Sequence, residues 1–465
     1  MSATTDTTQL QIALRQAKIP FSIPTSLDFE ALHDSYNGLH RDRFPLLITR
    51  PQRPEDVSTI VKKCVALNLP ITIRGGGHDP FGRFSTPGTV SIDLRALNSV
   101  SVSVSDNTLR LGGGALAMQV IEAAEAHNLQ VAFGNSGAVG YVGWCLLGGL
   151  GSWTSVFGLG SHQIVNARVV NADGELVDAD KQMLVGLRGG GGNLGIVVEL
   201  VVKAYPLREV RMGNMFFDMS DLAQAISTVL GNLNQLINKG QIPAHCDVHP
   251  MLMPIPGLGF VLFCSMTWNG PIDNTYYAIL DSVSKLGPAH ETLPTIKDSM
   301  SVITPLGYAK KMGAILENKA HGEAHARSLT EFTSEANATI ATCASEMPEQ
   351  CNGGIALLVH RSTSPSCSED ALPSVSPYTK PCIVVEFIGQ AATEQGGKIA
   401  VEWARKSAMK LAKVKGALLN SYLPLAAPDL NSLEGIYGEK LEKLRELKRK
   451  YDPQGIFANA IPKLV

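Results

Sequence analysis

Apolar residues recur at two spacings along this chain, and the alternation between the two divides it into three blocks. In the first, Pro51 and Pro54 followed by Glu55 and Asp56 read as the start of a helix, because proline is tolerated and negative charge favoured in a first turn. Val57, Ile60, Val61 and Cys64 then supply an apolar face at steps of three and four. A short apolar run at 69–73 reads as a strand and ends in Arg74-Gly75-Gly76-Gly77-His78. Residues 90–94 and 108–112 are strand-like, a helix is expected over 115–128 and leads to the stretch 130–133, and strands are expected at 164–170, 174–177 and 196–205, with a turn at Asn171-Ala172-Asp173-Gly174. In the middle block, strands at 259–266, 354–360 and 382–388 alternate with helices at 222–236, 277–286 and 328–346. Without tight βαβ regularity, that alternation predicts an antiparallel sheet backed by helices. The Ser/Pro-rich stretch 362–378 reads as a surface loop. In the last block Leu433, Tyr437, Leu441, Leu444, Leu447 and Tyr451 form one stripe of a single helix, which Asp452-Pro453 stops.

Composition narrows the classes. A chain of 465 residues, 45% hydrophobic, is long enough for two or three domains. Forty basic residues against forty-two acidic ones give a formal charge of −2, which argues against a general nucleic-acid or membrane-surface binder. There is no apolar run of about 18 residues or more, so no membrane span is expected. The N-terminal stretch lacks a basic region ahead of an apolar run, so a cytoplasmic location without a secretory leader is expected. Eight cysteines without CxxC spacing read as reduced, buried thiols. The oligomeric state is not legible.

The glycines cluster, and the clusters carry the candidate chemistry. Gly190-x-Gly192-x-x-Gly195 matches the dinucleotide fingerprint as a string, yet a strand follows it where the fingerprint needs a helix, so a nicotinamide-type Rossmann site is not expected. Three consecutive glycines before His78 allow several backbone N–H groups to face one concavity, which suits a pyrophosphate, and place an imidazole beside whatever is bound there. A capped turn with an incidental histidine is the plain alternative.

Four stretches, in order, resemble the flavin-binding domain of the berberine bridge enzyme and 6-hydroxy-D-nicotine oxidase family: residues 51–57, 74–79, 139–151 and 187–197. Tyr451-Asp452-Pro453-Gln454-Gly455-Ile456-Phe457 resembles the family's closing motif, and together these matches cover about half the chain. The resemblance implies an α+β fold: a two-lobed PCMH-type FAD-binding domain built from both chain ends (1–206 and 416–465), with a substrate domain of antiparallel sheet plus helices inserted between them (207–415). It also implies FAD held by a single covalent bond from His78 to the 8α-methyl carbon, a step that suits a near-neutral imidazole. Arg74, Gly75, Gly76 and Gly77 would then cradle the pyrophosphate, with Asp79 in the same motif. Gly137, Gly140, Gly143 and Gly148 belong to the second stretch, Gly195, Ile196 and Val197 to the third, and Asn459 to the flavin edge. Ser136 stands where many relatives carry a second anchoring cysteine and cannot form a thioether; Cys145 reads as a small buried hydrophobe. Val139 falls where relatives guard the carbon that meets O₂, and its small size favours an oxidase, while Trp144 replaces a histidine found in several relatives.

The implied function is oxidation of a small, hydrophobic, natural-product-like substrate by hydride transfer to the flavin, with O₂ as acceptor. A redox-neutral cyclase that keeps FAD structurally is the alternative. For the base, Tyr422 in Asn420-Ser421-Tyr422 resembles a pocket tyrosine of the family. His245 and His249 come next, since period 2 puts them on one strand face with Asp247, in a set that lacks a metal-ligand framework. Glu386, on an apolar strand, reads either as a base of raised pKa or as an ion-paired structural residue.

Overall fold

The computed structural model describes residues 3–464 except 256, 258 and 317–319. The helix Pro54–Ala66 forms as its first turn dictates: proline stands at its start, and Asp56 accepts the Gln52 N–H at 2.9 Å. Its buried face of Val57, Ile60, Val61 and Cys64 packs in one core with Leu47, Val90, Ile92 and Phe457. That core covers a four-stranded sheet in the order Phe21–Ser22, Leu47–Thr49, Val90–Asp93, Ile71–Arg74. The last three strands pair in parallel, so the Ile71–Arg74 strand delivers its glycine loop beside the end of Val90–Asp93.

A second sheet, antiparallel throughout, runs Val100–Ser103, Thr108–Gly112, Ile196–Lys203, Ile164–Val170, Leu176–Asp178. Residues from the other end of the chain close it. Leu441, Leu444 and Leu447 pack with Met183, Leu187 and Leu194. The stripe that carries them is two helices, Leu433–Tyr437 and Lys440–Tyr451, where one is expected from the sequence. Gly438 between them has φ of +52°, a left-handed backbone that ends the first helix.

The third sheet has seven antiparallel strands in the order Ser301–Ile303, Val210–Phe216, Gly259–Trp268, Cys246–Ile255, Gly354–His360, Cys382–Ala391, His321–Leu329. Alternate residues on one face, among them Leu252, Cys264, Leu357, Val385 and Phe387, join a core with the helices Leu222–Asn238, Asn274–Ser284, Ser334–Ser345 and Glu394–Leu411. The helix expected over 328–346 therefore starts later, because Ser328 and Leu329 end the edge strand that pairs with Cys382–Ala391. The Glu394–Leu411 helix is not evident from the sequence, since Gly396 and Gly397 read as breakers in its first turn. A Cβ on Gly397 would lie 2.5 Å from the His321 carbonyl oxygen, so glycine is what lets this helix lie on the edge strand. No described helix is long and apolar enough to cross a membrane.

Candidate active site

The glycine stretches meet at a cleft of about 800 Å³ of atom-free space, partly open to solvent. One wall is Ile71, Thr72, Ile73 and Gly75; another is Gly191, Gly192, Gly195, Ile196 and Val197; Val142 and Gly143 come from the short helix Tyr141–Leu146, and Asn459 from the far end of the chain. A Cβ on Gly143 would meet nothing within 4 Å, and on Gly75 or Gly192 it would meet one atom each, at 3.9 and 3.8 Å. These glycines are not needed for packing against protein; a side chain there would fill the cleft. That is the signature of backbone left bare for a ligand. Asn459 ties the wall together, its carboxamide N–H donating to the Ile71 carbonyl at 3.2 Å.

The first and second glycine stretches lie against each other: a Cβ on Gly76 would sit 2.4 Å from the Gly140 nitrogen. The second stretch is pinned to the helix Ala117–Glu125, with the Gly137 and Val139 carbonyls each accepting an N–H, from Met118 and Ala117, at 2.9 Å. Ser136 is buried and accepts the Ala138 N–H at 3.3 Å, and Val139 is half-buried. Trp144, next to the cleft-facing Gly143, turns inward beneath Gly149 and Gly160 and donates to the Leu150 carbonyl at 3.0 Å. Cys145 is fully buried beside it, and burial pushes its thiol pKa far up.

Three expected cofactor contacts have other occupations. The Arg74 guanidinium does not line the cleft; it donates to the carbonyls of Leu32, His33 and Asp34 and lies over the Phe84 ring, so only its backbone remains for a pyrophosphate. Asp79 is paired with Arg83, whose Nη2 donates to it at 2.6 Å. Gly148, at φ of +110°, packs against the Tyr378 ring. His78 stacks face to face on Tyr36, with centroids 4.1 Å apart and planes 12° from parallel, a partner that no sequence motif announces.

The face of the seven-stranded sheet opposite its helices carries the remaining candidate residues. Across it runs one continuous row of paired residues, Phe216, Phe263, Met251, Ala356, Glu386 and Ala326. Residues directly opposite in antiparallel strands share a face. Glu386 is thus the one charge in an otherwise apolar row, flanked by two alanines. Phe216, Met251, Met253, Val261, Phe263 and Ala356 form their own cluster on this face. Glu386 has no ion pair among the described residues, and desolvation pushes its carboxyl up to about 7. The ion-paired alternative therefore falls away. The residue keeps partial accessibility while its carboxyl is deeply enclosed, between two buried alanines.

The three residues placed first for the base by sequence are less suited. Tyr422 is buried; its hydroxyl accepts the Leu150 N–H at 3.2 Å, and burial raises its pKa far from the range useful for a base. The charge of Glu386 contributes to that rise, which places the two groups near each other. His245 precedes the strand, which starts at Cys246, so the alternation does not reach it. Its half-buried ring stands edge-on to Trp268, a residue of the helix-backed core, at 4.4 Å. His249 does share a face with Asp247, but burial and Arg361 lower it to about 4, far from the near-neutral value expected of it. Asp247 accepts the Ser155 hydroxyl, faces Arg361 at 3.5 Å, and is raised by desolvation to about 7. Tyr308 lies nearby, its hydroxyl 2.6 Å from the Ser152 Oγ.

Two family models match this chain: an FAD binding domain over residues 45–180, and the berberine and berberine-like domain over residues 421–461. The FAD-linked oxidoreductase aurO of Gibberella zeae is 28% identical over 446 residues, covering 93% of this chain and 83% of that one. The (R)-6-hydroxynicotine oxidase of Paenarthrobacter nicotinovorans is 31% identical over 220 residues, 46% of this chain and 48% of that one. In fold, the wild-type BBE-like 1 structure of Physcomitrella patens superposes with a TM-score of 0.83 at 16% identity, covering 96% of this chain and 97% of the other. The first model spans the two glycine stretches that meet around His78 and Gly140, and the second ends at the residues that close the cleft beside Ile71. The chain therefore carries an FAD binding domain and a berberine-like domain, and the protein is an FAD-dependent oxidoreductase similar to the berberine bridge enzyme-like proteins.

Proposed function

We propose that this enzyme oxidises a small, largely apolar molecule at a carbon bearing a hydroxyl or amine, with Glu386 as the general base and O₂ as the final acceptor. The observation that carries this reading is Glu386 itself: a carboxyl of pKa about 7, without an ion pair among the described residues, in the middle of an apolar row. Bound FAD supplies a two-electron acceptor. Glu386 takes the proton from the substrate's O–H or N–H as the adjacent C–H bond breaks, and a pKa near the working pH suits that task. Ala356 and Ala326 leave room for the substrate beside the carboxyl, and Met251, two strands away, is the nearest large apolar residue of the row to receive its apolar body. Such a face suits an apolar alcohol or amine better than an oligosaccharide.

His78 is the proposed single covalent anchor of the flavin, with the backbone of residues 74–77 and the open positions at Gly75, Gly143 and Gly192 receiving the rest of the cofactor. Ser136 supplies no second link, and Val139 leaves the oxygen route open. Flavin should stay with acid-precipitated protein and leave it in His78→Ala. Acid-labile flavin in the unaltered chain would count against the anchor.

The test of the reaction is a panel of apolar alcohols and amines beside oligosaccharides. An apolar substrate should bleach the flavin under nitrogen and yield H₂O₂ in air. Product without bleaching would mean a redox-neutral reaction, and turnover of oligosaccharides alone would overturn the substrate class.

A further inference from the structure

Residues 36–38 form a strap that ties the flavin-side loop to the edge of the seven-stranded sheet. The Ala320 N–H donates to the Tyr36 carbonyl at 3.1 Å, and the Gly38 N–H donates to the Ala320 carbonyl at 2.9 Å. Between them Asn37, buried, donates through its carboxamide to the Pro80 carbonyl at 2.7 Å and to the Gly322 carbonyl, and accepts the Gly322 N–H at 3.3 Å. Pro80 is two residues beyond His78, so the strap grips the loop that carries the imidazole. Tyr36 is delivered by this grip onto the His78 ring, parallel within 12°. Burial and the charges of Asp79 and Glu323 keep its hydroxyl protonated. Glu323 is itself held between His40 at 3.6 Å and His325 at 3.2 Å.

We propose that Tyr36 is a positioning residue for flavin attachment: its ring, fixed by the strap, holds the His78 imidazole in the plane from which a ring nitrogen reaches the 8α-methyl carbon of FAD. The proposal rests on the reading of His78 as the anchor. Attachment forms one N–C bond and breaks one methyl C–H bond and the imidazole N–H bond. Both protons are released, the electron pair from the methyl carbon passes to the flavin ring system, and O₂ takes that pair and two protons to become H₂O₂. The final torsion of a histidine is broad and roughly two-fold, so an unsupported imidazole samples planes from which neither nitrogen is aimed. Holding a nucleophile in line is worth large rate factors, and small misplacements forfeit them.

Three quantities test this: total flavin per chain, the fraction that survives acid precipitation, and the rate at which acid-stable flavin appears when incompletely loaded protein is incubated with FAD. Tyr36→Phe keeps the flat ring and should match the unaltered chain in all three. Tyr36→Leu keeps bulk without a plane; it should bind as much total flavin but form the link about tenfold more slowly or worse. Tyr36→Met, flexible enough to fill the space, carries the same expectation should the leucine variant not fold. Attachment at the unaltered rate in the leucine or methionine variant would overturn the proposal. So would a parallel loss of total flavin, which would place Tyr36 in binding rather than aiming. Flavin wholly labile to acid in the unaltered chain would instead remove the His78 reading beneath it.

Discussion

The two faces of the seven-stranded sheet are built from alternate residues of the same strands, yet they do opposite work. Phe387 points into the helix-backed core and is fully buried; its partly accessible neighbour Glu386 points the other way, with no counter-charge among the described residues. Val385 and Leu357 lie opposite each other on the closed face, Glu386 and Ala356 on the open one. Both faces are largely buried, and they differ in what the row carries: apolar side chains alone on one, a partly accessible glutamate between two alanines on the other.

Substitutions at neighbouring positions should separate these two roles. The largest effect is expected at Glu386. Glu386→Gln should cut turnover by about 10²- to 10⁴-fold with flavin content and melting temperature little changed, and should abolish the limb of the pH–rate profile on which the unaltered enzyme gains activity through pH about 7. An unaltered profile would return the base to Tyr422, which Tyr422→Phe would then show. One residue on, Phe387→Ala should do the reverse: it should cost about 3–5 kcal/mol of stability in denaturant unfolding while turnover per folded molecule stays close to that of the parent. A smaller effect follows from filling the open face. Ala356→Leu should raise KM by about tenfold, the scale of a lost apolar contact or two, with the melting temperature nearly constant. If instead it unfolds the protein, the open face is packed like the closed one.

The smallest expected effect comes from the polar end of the open face. The Asp247 carboxyl is raised from 3.8 to about 7, desolvation outweighing Arg361. A carboxyl raised on folding binds its proton more tightly in the native state, so its contribution to stability is full below the unfolded value and is lost as pH rises from there to about 7. Asp247→Asn, which cannot ionise, should flatten the melting temperature across that window and leave it unchanged at the acid end. A slope unchanged by the substitution would mean that Arg361 and Ser155 already offset the burial of the charge.

The flavin side of the molecule was legible because its requirements are local. Consecutive glycines before His78, and the strand that follows Gly195, are read directly along the chain; Gly75 and the start of that strand line the cleft, while Gly76 and Gly77 pack against Gly140 and Arg74. Side-chain destinations were not. Nothing near Arg74 announces that its guanidinium is spent on the carbonyls of residues 32–34, and nothing near His78 announces Tyr36. For a similar reason the two readings of Glu386, a base of raised pKa or an ion-paired residue, could not be separated along the chain. Glu386 sits in an apolar run and differs from an ion-paired glutamate only in what the register puts beside it, alanines 30 and 60 residues away. The grouping of His245 with His249 failed by one residue, because alternation holds only inside the strand and the strand begins at Cys246. The edge strand His321–Leu329 and the Glu394–Leu411 helix were missed together: the glycines that disguise the helix are there for the strand it lies on.

The bond from Asn459 to the Ile71 carbonyl spans 388 positions of sequence. A ribosome working at about 5–20 residues per second needs roughly 20 to 80 seconds to travel that distance. During that interval the loop with His78 is already outside and the wall at residues 457–461 does not yet exist. With His78 as the proposed anchor, the nascent chain offers the nucleophile before it offers the wall that carries Asn459, and flavin loading is expected to follow synthesis of that wall. Cells short of riboflavin should accumulate full-length, unloaded protein rather than stalled fragments, and a late supply of the vitamin should rescue it after synthesis has stopped.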